Sequence, residues 1–196
     1  VSNNTALVEK METLKAQSTA VWLDRIDAIY GGDVNGGRLS LEEHLIEAVA
    51  QQKAAANGGA IDPMLISIIV YNLPNRDCAA LASNGTLSTE ENGLNIYKSD
   101  YIDVIYNILS DSRFKDLRLA LTIEPDSLPN LITNVSGEQR LDACVAAKDS
   151  GVYVDGIQYA LNKLSQLDNT YNYLDIAHSG WLGWADNMEA TAELMA

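Results

Sequence analysis

Leu65-Ile66-Ser67-Ile68-Ile69-Val70-Tyr71 decides the fold class. The run is apolar and β-branched, interrupted only by Ser67, and bounded by turn formers: Asp62-Pro63 before it and Asn72-Leu73-Pro74-Asn75 after it. A strand without apolar–polar alternation is expected in a parallel sheet whose two faces are both covered. Met64 to Val70 is the longest apolar run in the chain and falls far short of the ~18 residues a membrane span needs, so a membrane protein is excluded.

Similar strands are expected at Ala20 to Leu23, Leu117 to Ile123 and Tyr171 to Ile176, with amphipathic helices between them. Thr5 to Gln17 reads as a helix with Leu7, Val8, Met11 and Leu14 on one face. Ser40 and Glu43 form a capping box for a helix to about Ala55, ended by Gly58-Gly59, and His44 within it is expected to be a surface or packing residue. Ser88 and Glu91 are expected to cap a long helix whose Leu94, Tyr97, Tyr101, Ile105 and Ile108 share a face. A third helix is expected from Val152 to about Leu167. Strands alternating with helices specify an α/β fold with a parallel sheet, and the absence of any glycine-rich phosphate loop after a strand favours all or part of a (β/α) barrel.

A hydrophobic fraction of 47% in 196 residues supports a real core. The net charge of −14, with only 13 Lys and Arg, argues against nucleic acid as a partner. Cys78 and Cys144 lack metal-ligand spacing, which leaves one disulfide or two buried thiols; a bond closing so long a loop would stabilise by about 4 kcal/mol in the chain-entropy model. No signal peptide opens the chain, leaving a processed secreted protein or a cytosolic one.

Every expected strand runs into polar residues at its C-terminal end: Asp24 and Arg25, then Asn72, Arg76 and Asp77, then Glu124 and Asp126, then Asp175 and His178. In parallel α/β folds ligands bind at that end, so these groups describe an acidic cleft. The segments 72–88, 127–151 and 177–189 are its long loops. Trp181 and Trp184, flanked by glycines, offer ring faces of the kind that stack on sugars. Asp77 and Asp126 on neighbouring strand ends suit glycoside hydrolysis, in which one carboxylic acid protonates the leaving oxygen. Arg76 could neutralise either carboxylate, and acidic strand ends also ligate Mg²⁺, so on the residues alone a metal-dependent barrel enzyme stays open.

Three segments sharpen this reading. Tyr71-Asn-Leu-Pro-Asn-Arg-Asp-Cys-Ala-Ala-Leu-Ala-Ser-Asn-Gly85, Ile123-Glu-Pro-Asp-Ser-Leu-Pro-Asn-Leu131 and Tyr173-Leu-Asp-Ile-Ala-His-Ser-Gly-Trp-Leu-Gly-Trp184 closely resemble glycoside hydrolase family 6, its cellobiohydrolase branch best, and Trp22-Leu23-Asp24 fits the same pattern. The resemblance implies the first half of a distorted TIM-like (β/α) barrel that cleaves β-1,4-glucosidic bonds of cellulose with inversion and releases cellobiose from chain ends. Asp126 falls at the position of the general acid, and Asp77 at that of the carboxylate that keeps the acid protonated and stabilises the oxocarbenium-like transition state. Tyr71 and Ser83 match residues that crowd the distorted sugar and hold the water chain. Trp22, Asp24, Arg76, Asp175, His178, Trp181 and Trp184 are the expected sugar-binding set. No cofactor or metal is expected.

The same resemblance implies a Cys78–Cys144 disulfide bracing Asp77, and with it secretion. Asn72 and Asn75 stand where many cellobiohydrolases have Asp. The sequons at Asn3, Asn84 and Asn134 are expected to carry no glycan in a bacterial protein. The family's barrel continues well beyond this length, carrying a second active-site loop, distal sugar sites and the Asp proposed as general base. Residues 1–196 are accordingly expected to form a partial catalytic barrel with open strand edges. The implied partners are cellulose and cello-oligosaccharides, with the C-terminal half or a carbohydrate-binding module. An endoglucanase of the same family and a non-catalytic glucan-binding half-barrel are the second readings.

Overall fold

The computed structural model describes residues 5–15, 17–56, 59 and 62–196. Four strands, β1 (Val21–Leu23), β2 (Leu65–Val70), β3 (Arg118–Ile123) and β4 (Thr170–Leu174), lie side by side in sequence order, each pair parallel. Helix α1 (Thr5–Lys15) precedes β1; α2 (Ile26–Tyr30) and α3 (Leu41–Ala55) lead from β1 to β2. The next crossover carries α4 (Gly93–Ile96), a π-helical stretch (Tyr97–Ile102) and α5 (Asp103–Leu109). Helices α6 (Asn130–Thr133), α7 (Asp142–Asp149) and α8 (Val152–Leu164) join β3 to β4, and α9 (Ser179–Leu182) and α10 (Ala185–Met195) follow.

Register places Leu23, Val70, Ile123 and Leu174 abreast, and one residue earlier Trp22, Ile69, Thr122 and Tyr173. Successive side chains point to opposite faces. On the first face Leu23, Ile68, Val70, Leu119, Leu121 and Ile123 are fully buried, in one cluster with Leu41 and Leu45 of α3, Ile105 of α5 and Ile157 and Ala160 of α8. The second face is largely bare, with Trp22 56% and Tyr173 59% exposed. The expectation that β2 is covered on both faces is therefore corrected: its burial alternates over 68–70. In a closed barrel the bare face would be filled by side chains from the strands opposite, and no such strand lies among the described residues.

Capping of α3 follows the sequence: Ser40 Oγ accepts from the Glu43 N–H and the Glu43 carboxylate accepts from the Ser40 N–H. Ser88 behaves differently from expectation. Its hydroxyl accepts from the Glu90 N–H, not from Glu91, and starts only a 3₁₀ turn; Asn92 then turns left-handed and the helix begins at Gly93, where a Cβ would meet the Ser88 carbonyl oxygen at 2.4 Å. Leu7, Val8, Met11 and Leu14 share α1 but all lie exposed. The loops expected at 127–151 and 177–189 contain short helices. Asn3 and Gly58 lie outside the described residues.

Candidate active site

Parallel pairing sends Asp24, Tyr71, Glu124 and Asp175 off the same end of the sheet, each directly after its strand. Beyond these ends Asn75, Asp77, Glu124, Asp126 and Ala177 take positive φ between 48° and 59°. None is glycine; Asn and Asp tolerate this region best, so the cost, on the order of 1–2 kcal/mol for an ordinary residue, falls most heavily on Glu124 and Ala177. The left-handed turns reverse the chain within one or two residues and aim Asp77 and Asp126 at each other's neighbourhood.

Glu124 helps to hold these turns. It is 1% exposed, and its carboxylate accepts the backbone N–H groups of Asn72 and Leu73 and the hydroxyl of Tyr97. This overturns its expected place among the cleft carboxylates: the side chain points down into the core and pins the start of the β2 loop. Burial pushes its pKa up to about 7 despite those donors.

Arg76 is likewise corrected. At 7% exposure, its guanidinium lies over the Tyr71 ring at 4.0 Å and donates to the carbonyls of Asp24 (2.7 Å), Tyr71 (2.6 Å), Ser83 (2.8 Å) and Asn84 (3.3 Å). Its donors are occupied by loop backbone, so it shapes the cleft floor and pairs with neither Asp77 nor Asp126. Asn75 donates to Thr89 Oγ1 at 2.8 Å and accepts the Thr89 N–H, closing the same loop; an ionised Asp could not make the donation. The Asn72 amide is fully buried with no side-chain partner among the described residues.

Asp77, nearly buried, is gripped on both oxygens. Oδ2 accepts the hydroxyls of Ser83 and, at 3.4 Å, Tyr71, and Oδ1 accepts from the Asn130 amide at 3.4 Å. Burial and the Asp77 charge push the Tyr71 phenol up to about 12, so it stays a donor. Asn130 also donates to the Asp126 carbonyl at 2.6 Å, and the Asp126 N–H donates to Asp175 Oδ2 at 2.9 Å. Asp126 thus stands between two carboxylates, with its own carboxyl open to the cleft and free of hydrogen bonds among the described residues. Partial burial, then the charges of Asp77 and Asp175, raise its pKa above the usual carboxylate value.

The remaining expected residues line the same end. Trp22 stands edge-on to Tyr71 at 5.8 Å, and Asp24 is held by Arg25 at 2.9 Å, which lowers its pKa. His178 Nδ1 accepts the Gly180 N–H and its ring meets Trp181 edge-on at 6.4 Å. Trp181 Nε1 donates to Thr133 Oγ1, leaving its orientation fixed by α6, while Trp184 is 69% exposed. The Cys78–Cys144 disulfide is present and ties the β2 loop to α7. Among the described residues no three His, Cys, Asp or Glu side chains converge to hold a metal.

Asn130 and Tyr153 are the contributors the sequence reading missed. Asn130 lies four residues after Asp126, the spacing at which a side chain on the following helical turn reaches back, and that was its only signal. Tyr153 sits a helix away, and nothing local marks it.

Comparison with known proteins agrees with this geometry. The chain is 50% identical over 196 residues to Exoglucanase A of Cellulomonas fimi, covering all of this chain and 21% of that protein, and 38% identical over 192 residues to Exoglucanase-6A of Humicola insolens, covering 93% and 35%. Among solved structures it matches the catalytic domain of Cellulomonas fimi Cel6B with a TM-score of 0.84 at 49% identity, spanning the whole chain and 41% of that domain. It matches Humicola insolens cellobiohydrolase II (Cel6A), solved in complex with glucose and cellotetraose, with a TM-score of 0.77 at 34% identity, over 48% of that chain. The chain therefore spans less than half the length of each of these relatives. The family model for glycosyl hydrolases family 6 matches residues 1–196, and the chain belongs to that family.

Proposed function

We propose that this chain is the acid-donating part of an inverting cellulase that releases cellobiose from cellulose chain ends, with residues 1–196 forming the first four strand–helix units of its catalytic barrel. The observation that carries this reading is the Asp126 carboxyl: raised in pKa, open to the cleft and placed between Asp77 and Asp175. A protonated carboxyl there can donate to a glycosidic oxygen, and Asp77, held by Ser83, Tyr71 and Asn130, is placed to stabilise positive charge developing on the sugar. Trp22, Asp24, Asp175, His178, Trp181 and Trp184 form the sugar-binding wall, and the water-activating carboxylate lies outside these residues. The disulfide supports secretion.

The test is hydrolysis of cellotetraose by the whole protein, with the product anomer followed by proton NMR. α-Cellobiose is expected at first, and Asp126→Asn should lower kcat by about 100-fold or more, the range for loss of a general acid. β-Cellobiose as the first product, or full activity in the Asn variant, would overturn the reading. Tight cellotetraose binding without turnover would instead support a glucan-binding protein.

A further inference from the structure

Asp77 sits in a loop that Asn75, Arg76 and Ser83 close from within and that is also held from outside. Asn75 and Asp77 both hold left-handed φ, of 53° and 50°, with Arg76 between them. Outside the loop, one side chain touches both ends of this strained unit. Tyr153, fully buried near the start of α8, donates its hydroxyl to the Asn75 carbonyl at 2.6 Å and accepts the Cys78 N–H at 3.1 Å. The two bonds use the phenol oxygen in both senses and bracket Arg76–Asp77. Helix α8 can come this close because Gly156, one turn further on, has no side chain: a Cβ there would meet Leu73 Cδ2 of the same loop at 2.4 Å.

We propose that Tyr153 is a positioning residue for the reaction, a latch that fixes the backbone on either side of Asp77 and so sets how strongly Asp77 holds the proton on Asp126. The inference rests on the acid role given to Asp126 above. Tyr153 is kept from the cleft by its complete burial, and among the described residues its hydroxyl bonds to loop backbone and to no carboxylate, so its hold on Asp77 runs through the loop. With the hydroxyl gone, the Asn75 carbonyl and Cys78 N–H lose their shared partner and the two left-handed residues can relax. Asp77 then moves relative to Asp126, and their like-charge coupling weakens. The disulfide at Cys78 still tethers the loop to α7, so the loop stays in place while its fine geometry changes.

The experiment is a carbon-13 carboxyl NMR titration of the whole protein, unsubstituted and as Tyr153→Phe. The Asp126 midpoint is expected to fall by about half a pH unit or more in the variant, the scale of a weakened neighbouring charge. Amide shifts should change over 75–83 and not along β2 and β3. Tyr159→Phe removes a comparable hydroxyl from the same helix, one that donates to Asp103 at 2.8 Å, and should leave Asp126 where it is. An unchanged Asp126 midpoint in Tyr153→Phe, or the same fall in both variants, overturns the latch. Should Tyr153→Phe not fold, amide exchange in the unsubstituted chain decides. Cys78 should exchange roughly 100-fold slower than the exposed amides of the same loop, and free exchange there overturns the proposal. An Asp126 midpoint in the ordinary range in the unsubstituted chain would sink the acid role itself, a failure distinct from either of these.

Discussion

Glu124 carries its carboxylate into the core with no cation in hydrogen-bonding contact among the described residues; its partners are two backbone N–H groups and Tyr97. Its pKa is pushed up to about 7 from an ordinary 4.5, so the folded chain keeps this proton where the unfolded chain has released it. Below about pH 4.5 both states are protonated and the group adds no pH dependence. As pH rises from there to about 7, it withdraws about 3 kcal/mol of stability. Urea unfolding at pH 4.5, 5.5 and 7 should show Glu124→Gln missing that decline relative to the unsubstituted chain, while paying about 1–3 kcal/mol throughout because its NH₂ must face a backbone donor. A parallel decline in both proteins would refute the assignment. The residue scale also marks where sequence reasoning stops. Asp77, Asp126 and Asp175 were legible because a carboxylate after a parallel strand faces the ligand-binding end, but Glu124 and Arg76 follow the same rule and are buried. Only Pro125 separates Glu124 from Asp126, and the left-handed φ at both, which sends one inward and the other to the cleft, leaves no trace in composition.

Helix α8 gives the element-scale case. The helix itself was legible in the sequence, and Val152, Tyr153, Ile157, Ala160 and Leu164 on it are all buried. Gly156 within it reads as a weak point, since glycine in a helix interior costs about 1 kcal/mol relative to alanine. The packing reverses the sign. An alanine Cβ would sit 2.4 Å from Leu73 Cδ2 and 3.4 Å from Tyr97 Cε1, so Gly156→Ala should destabilise by about 1–3 kcal/mol through overpacking, despite its better propensity. The thermal midpoint read by circular dichroism checks this, and a rise would show that Leu73 yields freely. The π-helical stretch 97–102 was not legible, because Tyr97, Tyr101 and Ile105 satisfy an ordinary helical spacing. The extra residue per turn lets Tyr97 reach Glu124 while Tyr101 accepts the Tyr71 N–H and donates to the Leu23 carbonyl, joining three strand ends from one helix.

At the scale of the whole molecule, the sheet has two opposed physical characters. The helix-covered face is closed, whereas Trp22 and Tyr173 leave the other face apolar and wet, and β1 and β4 each keep one edge without a strand partner among the described residues. Strand order and direction were legible from the alternation of elements; the bare face was not, because an apolar run broken only by Ser67 looks the same whether its second face is covered or open. Such a surface drives association through both apolar burial and edge pairing. A net charge of −14 opposes it by self-repulsion, which salt screens while leaving apolar attraction intact. The isolated 196-residue chain should therefore show a sedimentation coefficient that rises with concentration in the micromolar range, and rises further from low to physiological salt. Tyr173→Lys, placing a strongly hydrated cation on the bare face at its β4 edge, should return it toward a monomer at either salt. A coefficient independent of concentration, or association that weakens as salt is added, would mean that charge and not the open face governs how this chain meets itself.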